Sequence, residues 1–473
     1  MKKTITIPDC LEQLGDSLEA LVKDLSSSIK LAKLHRMPSY SDVEKNVADR
    51  AAEIERESHR AMLQSLDIDE KAVVIEGVRY RRVLREDSTY HCMAGDIVVT
   101  RSLYRECGTR GGKTVDPVSL RAGVVGDGWL PLTAQAMAYQ LQRGTSRDAE
   151  ESARQVRRLP YSRSSFERVG HLVGERYAKG HAEIEDTLIR AFEVPTEVAS
   201  VSVSVDRVSL PMEESRKRPV GRPRKDAPKN PISRNYRMAW CGTVTFHDGR
   251  GEALHTIRYG RMPKGSPVEL AQSLVGDVLV VLEQRPDLEV AVLADGAHEN
   301  WELLGDAMAE FLPDKKVRQV LDLWHVLEKL GAAARVMHGK EKSGVELARW
   351  RLMLLNSKSA AARILKELES SGKENVRVGE SRPVHEAITY LTNHASRMDY
   401  ASARRAGLPL GSGNVEATCK SLVEMRMKRS GSRWKEHTGA HIMHLRALAL
   451  SDRWDQAINL TLAPLIRAVK AAA

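Results

Sequence analysis

Val201-Ser-Val-Ser-Val-Asp206 alternates β-branched and small hydroxyl side chains, then ends on a carboxylate. Strand side chains point to opposite faces with a period of two, so the stretch reads as a strand over 201–208 in which Asp206 closes the alternating run. Two more strand patterns follow at 236–246 and 253–259. Beyond them the period lengthens to that of a helix over 267–284. A strand at 288–293, a helix at 299–311 and a strand at 316–321 come next.

Three strands in succession, then helix, strand, helix, strand, is the order of an RNase H-like core. The class is α/β, with a mixed sheet built from an antiparallel meander and two crossovers to parallel strands. A mostly helical stretch over 326–408 has no strand candidates and reads as an all-helical insertion. The chain then returns to the core over 409–473, with a helix carrying Glu416 and further C-terminal helices.

In such a sheet the first strand is central, which makes Asp206 a fixed anchor. Asp295 follows the apolar run Val290-Ala-Val-Leu-Ala294 and faces the same edge. Glu416 lies in Gly411-Ser-Gly-Asn-Val-Glu416, and Glu424 competes with it two helical turns on. Hard divalent cations bind through oxygen, and a two-metal site holds carboxylates from separate elements around one phosphate. Asp206, Asp295 and Glu416 are therefore the candidate catalytic and metal-binding residues, for two Mg2+ ions with Mn2+ as a substitute. Asp322-Leu-Trp-His325 offers a further acid and a histidine. Asp322 is also placed to cap a helix starting near Trp324, and His325 fits a core histidine as well as a site residue. Trp301 and Trp324 are expected in the core, with stacking on a flipped base as the other reading.

Val203-Ser-Val-Asp206, Ala294-Asp-Gly-Ala-His-Glu-Asn-Trp301, Leu321-Asp-Leu-Trp-His325 and Gly411-Ser-Gly-Asn-Val-Glu416 with Gly431-Ser-Arg-Trp434 occur in that order. Together they resemble the DDE-type bacterial insertion-sequence transposases, in particular an ISKra-like branch. The resemblance spans about residues 198 to 440. It implies Mg2+-dependent DNA strand cleavage and strand transfer, a homo-oligomer (a dimer or higher) to pair element ends, and a bacterial cytoplasmic setting at the nucleoid. It also implies accessory roles for Asp322 and His325 beside the Asp206, Asp295, Glu416 set. The implied partner is double-stranded DNA, both terminal inverted repeats and target. A domesticated RNase H-fold nuclease and a catalytically silent DNA-binding regulator remain the alternatives.

Charge points to the same partner. The 473 residues carry 73 Lys+Arg against 63 Asp+Glu, a net +10 that suits a polyanion. The five cysteines are dispersed without a C-x-x-C pair, which excludes a disulfide framework and argues against a zinc ribbon. The start lacks a signal-peptide core, and no uncharged run reaches membrane-spanning length.

The cationic candidates fall in three places. Residues 129–195 read as a helical, helix-turn-helix-like unit in which Arg163 and Arg168 begin the last helix; packing alone is its other reading. The insert 214–231 interrupts the first two strands. Its Gly221-Arg-Pro-Arg-Lys225 looks like an AT-hook core that would set Arg222, Arg224 and Lys225 into a minor groove, or else serves as an irregular phosphate-binding loop. Lys420, Arg426, Lys428, Arg429 and Arg433 follow Glu416 as a basic surface for phosphate. His437, His441 and His444 read as a helix face rather than a zinc site. Upstream, residues 1–70 form a helical region, with helices at 11–34 and 41–66. Residues 71–128 form a small β-ribbon with strands at 72–83 and 97–104, so that an α+β region precedes the core.

Overall fold

The computed structural model describes residues 6–36, 39–109, 111–213 and 234–472. The chain divides into two compact units, Met1–Gly180 with Asp455–Ala473, and His181–Trp454. Arg222, Arg224, Lys225 and the AT-hook-like insert lie outside the described residues.

In the first unit, α1 (Glu12–Lys33) and α2 (Tyr40–Ser65) form a helical hairpin tied by Arg50 Nε to Asp24 at 2.8 Å. Next come β1 (Ala72–Ile75), β2 (Val78–Cys92) and β3 (Gly95–Glu106). The strand expected over 72–83 is broken, because Glu76 and Gly77 both take positive φ (50° and 82°) and reverse the chain within two residues. The last helix, Trp454–Leu462, stops just before the Ala463–Leu465 turn, where Pro464 has no N–H to donate. The chain then adds a strand, Val469–Ala471, antiparallel to β1.

The rest of the unit is helical: α3 (Pro117–Ala122), α4 (Pro131–Arg143), α5 (Ser146–Gln155) and the start of α6 (Arg163–Arg190). Thr145 and Asp148 form a reciprocal capping box at the head of α5. Gly128 is fixed here by sterics: φ is +89°, and a Cβ would sit 2.4 Å from the Thr89 carbonyl oxygen. Gly128→Ala is expected to destabilise this unit by on the order of 2–4 kcal/mol through strain and clash together. A drop in the urea midpoint of its transition checks this.

The second unit is built on a five-stranded sheet of β4 (Ser200–Glu213), β5 (Arg234–His247), β6 (Ala253–Arg261), β7 (Glu289–Ala294) and β8 (Val317–Leu321), in the spatial order β6-β5-β4-β7-β8. The first three strands are antiparallel, whereas β7 runs parallel to both β4 and β8. This is the meander with two parallel additions expected from the pattern. α7 (Pro267–Gln284) and α8 (His298–Phe311) make the crossovers. α7 buries Leu270, Leu274, Val278 and Val281, a stripe at helical spacing, in the same core as Val201, Val203 and Val205.

β4 runs past Asp206 to Glu213, longer than the expected strand. A second alternation, Val208, Leu210 and Met212, is buried in a separate core cluster with Leu422, Val423 and Met427. Asp206 therefore sits inside the strand instead of closing it.

After β8 come α9 (Leu323–Asn356, interrupted at Gly339 with φ 76°), α10 (Ala360–Ser370), α11 (Pro383–His394) and α12 (Tyr400–Arg405). The chain returns through α13 (Gly413–Thr418), a π-helical turn at Cys419–Glu424, α14 (Met425–Met427) and α15 (Glu436–Leu450). Trp434 bridges back to β4: its backbone pairs with Pro211 and Glu213 at 3.1 and 2.8 Å. Among the described residues, no helix is long and apolar enough to cross a membrane.

Candidate metal centre

Strand register brings the aspartates together. β4 pairs in parallel with β7 up to Val203 opposite Val292, and β7 pairs with β8 up to Ala294 opposite Leu321. Continued by three residues on β4 and by one on β8, the same register sets Asp206, Asp295 and Asp322 level on three neighbouring strands. All three lie where the parallel pairing ends. The β4–β7 pairing ends at Val203, and Asp295 is near enough for its charge to act on the Asp206 carboxylate.

Asp206 is half-buried. Its Oδ1 accepts the Arg207 N–H at 2.6 Å, and the Cys419 thiol lies 3.7 Å from Oδ2. Burial raises its pKa, and the nearby charges of Asp295 and Glu416 raise it further. The carboxylates at the end of β7 and on α13 are thus near enough to disfavour the charge on Asp206. Asp295 is held by the turn it begins. Its Oδ1 accepts the Ala297 N–H at 3.0 Å and the Asn300 side-chain N–H at 3.1 Å, and its carbonyl accepts the Trp301 indole N–H at 2.7 Å. Trp301 is buried, as expected.

Asp322 does a different job. Buried at the N-terminus of α9, its Oδ1 accepts the N–H groups of Trp324 (2.6 Å) and His325 (3.1 Å). Its Oδ2 accepts both the N–H and the hydroxyl of Ser412, the latter at 2.6 Å. Burial alone would raise this carboxyl; contact with His325 and the Ser412 donors outweigh it and hold the pKa at about 2. One side chain therefore caps α9 and fastens the loop that leads to Glu416. The Leu323 N–H to Leu410 carbonyl bond, 2.9 Å, adds a second tie. Gly411 fits that junction because a Cβ there would lie 2.9 Å from Trp324 Cδ1.

His325 Nδ1 sits 3.4 Å from Asp322 Oδ1 and 3.9 Å from Glu416 Oε1. Contact with the Asp322 carboxylate outweighs burial, and with Glu416 and Asp295 lifts the imidazole to about 9, so it is cationic at neutral pH. The Ser412 hydroxyl oxygen, whose proton goes to Asp322, lies 3.4 Å from Glu416 Oε1. One ligand atom each from Asp322, His325 and Glu416 lies within 4.8 Å of the others, the spacing of a metal-ligand trio. However, the Asp322 oxygens are already engaged by four N–H and O–H donors. Asp206 and Asp295 are half-buried and Glu416 is exposed; each keeps a carboxylate oxygen outside the hydrogen bonds given above, but the three together do not reach the spacing of a metal-ligand trio. Glu424 instead forms an ion pair with Lys428 at 2.9 Å.

Sequence reasoning missed Tyr390, on α11. Its ring packs so tightly on Gly296 that a Cβ there would lie 2.5 Å from Cε2. Its buried hydroxyl has no hydrogen-bond partner among the described residues. Burial and the Asp295 and Asp322 carboxylates push its pKa up, so it stays a neutral potential donor beside the cluster. Nothing in the 383–394 stretch, an ordinary amphipathic helix, marks that position.

Trp324 corrects another expectation. It is 60% exposed, with the Arg351 guanidinium 5.5 Å from its ring, because helix N-terminal geometry turns it outward from the capped turn. Among the basic candidates, Lys420 and Arg429 are exposed, Lys428 pairs with Glu424, and Arg433 is half-buried. Arg426 breaks the expected surface. It is only 4% exposed and stacks on Trp434 at 5.2 Å, since the π-helical turn rotates it inward. Arg163 and Arg168 are exposed at the head of α6; Arg168 lies 3.6 Å from Asp127 and 6.0 Å from the Trp129 ring. His441 and His444 are buried, and burial holds His444 at about 3. Among the described residues they belong to no metal-type cluster.

No known family's sequence pattern matches the chain, and no curated protein does. Among solved structures, it is similar to the Drosophila P element transposase strand transfer complex, at 14% identity and a TM-score of 0.26 over 70% of this chain and 78% of that one. It is also similar to the Mos1 transposase paired-end complex with left transposon end, at 11% identity and a TM-score of 0.17 over 59% of this chain and 79% of that one. Likeness of that degree leaves the reading of the site to its own residues.

Proposed function

We propose that the chain is a DDE-type transposase with an RNase H-like core, which binds element ends and carries out metal-dependent DNA strand cleavage and strand transfer. The observations that support this most are the strand register that sets Asp206 level with Asp295 at the end of the parallel pairing, and the Asp322–Ser412 link that ties the loop before Glu416 to the same end. Asp206, Asp295 and Glu416 would hold two Mg2+ ions, or Mn2+ in their place. Bound ions there supply charge neutralisation for an in-line displacement at phosphorus.

The chain's own residues do the rest. Cationic His325 favours a phosphate approaching Glu416, and the exposed Lys420 and Arg429 draw in the backbone. Exposed Trp324 offers a face on which an unstacked base can rest. Asp322 positions and does not ligate. DNA-reading roles for Arg163 and Arg168, and phosphate contacts by Lys428, Arg433 and Arg426, belong to the same proposal, the last requiring Arg426 to leave Trp434. The region boundaries at residues 70, 128, 195, 325 and 408 are likewise proposed as functional divisions.

Purified protein with element-end DNA and Mg2+ should nick at the end and join the freed 3′-hydroxyl to target. Nicking without joining would favour the nuclease, and binding without either would favour the silent regulator. Arg222→Ala with Arg224→Ala is expected to shallow the slope of log affinity against log salt by about two. A slope equal to the parent's would remove the insert from the DNA interface.

A further inference from the structure

We propose that α1 is a self-association surface, which pairs antiparallel with α1 of a second copy of this chain. The proposal rests on the face of this helix and not on the metal centre. Asp24 meets Arg50 and Asn46 of α2, and Ser17 is buried, so the hairpin uses the side that carries Leu14, Ser17, Leu21 and Asp24. A second stripe, Leu18, Val22, Leu25, Ile29 and Ala32, repeats at intervals of four, three, four and three residues. This is the 3.5-residue period of a coiled-coil seam. Leu18, Val22 and Ile29 are 37%, 61% and 56% exposed, and Leu25 and Ala32 on the same stripe are half-buried. Three large apolar side chains facing water along one stripe mark an interaction surface.

Charge selects the partner and its direction. From Glu12 to Val22 the helix carries Glu12, Asp16 and Glu19 with no basic residue; from Lys23 to Lys33 it carries Lys23, Lys30 and Lys33 against Asp24 alone. A parallel pair would lay like charges side by side. An antiparallel pair opposes them and also opposes the helix dipoles. Of the registers the seam allows, the proposal takes the one in which Val22 packs opposite Ala32 of the second copy and Leu25 opposite Ile29. In that register the exposed flank sets Glu19 against Lys33 and Ser26 against Ser26 at the two-fold axis. Serines at the crossing leave room for the helices to approach. The helix thus complements itself, which makes a second copy its occupant.

Sedimentation equilibrium of the full chain tests this. The parent should have twice the 52.7 kDa chain mass, and Val22→Asp with Ile29→Asp should have the chain mass alone. Glu19→Lys and Lys33→Glu should each weaken the dimer about tenfold, and the two together should restore it. Ser26→Cys, in a Cys10→Ser, Cys107→Ser background, should form an intermolecular disulfide on mild oxidation. This exposed substitution keeps the test decisive if the aspartate variants fail to fold. A monomeric parent, a dimer that survives the aspartate pair, a double reversal that fails to restore, or no Ser26→Cys cross-link would each overturn the proposal.

Discussion

Asp206→Asn should lower strand cleavage by about a thousandfold or more, while the protein binds element-end DNA as the parent does and melts at the same temperature or higher. A thousandfold corresponds to about 4 kcal/mol of transition-state stabilisation, a scale expected if a ligand of a two-metal site loses its charge. The stability half follows from burial of Asp206 beside the Asp295 and Glu416 charges. Removing the half-buried charge of Asp206, which Asp295 and Glu416 disfavour, relieves the metal-free fold and would disable the loaded one. Asp295→Asn and Glu416→Gln should lose cleavage in the same way. Cleavage and joining assays, a DNA-binding titration and a thermal melt, run on the same preparations, check both halves. An Asp206→Asn protein that lost activity only because it unfolded would contradict the account.

Asp322→Ala should produce the largest loss of stability at the site, on the order of 3–5 kcal/mol. A missing N-cap costs about 1 kcal/mol, and each buried donor left without an acceptor adds about 1–3 kcal/mol. The Ser412 N–H and hydroxyl are the donors in question. Cleavage should fall too, through displacement of Glu416, whereas Asp322→Asn, which keeps an oxygen toward α9, should be milder. The loss should depend on pH. The folded pKa of Asp322, about 2, lies below its ordinary value of 3.8. Its stabilisation is therefore complete above the ordinary value and disappears as pH falls through about 2. His325 runs the other way: with a folded pKa of about 9, it contributes fully below about 6.5 and loses that contribution as pH rises through 9. Melting curves of parent and Asp322→Ala across pH should therefore converge in acid. A constant gap down to pH 2 would show that the carboxylate charge is not what holds the junction.

The sheet was legible because its strands announce themselves locally. Val201–Val205 and Val290–Ala294 are apolar or alternating runs bounded by polar residues, and their order along the chain restricts the topologies that can form. Glu416 was singled out only by its Gly-Ser-Gly approach, since the Asp322–Ser412 link that ties down the loop before it spans 90 residues of sequence. Features set by conformation were hidden. The Glu76-Gly77 reversal looks like any charged residue before glycine. The inward turn of Arg426 depends on a π-helical turn that no periodicity of 3.6 foresees, and a helix pattern near the C-terminus gave no sign of the strand at Val469–Ala471. Trp324 misled because its apolar character argues for the core, while the cap at Asp322 points the side chain outward. Tyr390 was invisible for a similar reason: its contact with Gly296 is tertiary.

The most direct test is anomalous diffraction from crystals of the protein with Mn2+ and element-end DNA. The account predicts metal density within coordination distance of carboxylate oxygens of Asp206, Asp295 and Glu416, with Asp322 still bonded to Ser412. Manganese held by Asp322 and His325, or no ordered metal near Asp206, would contradict it.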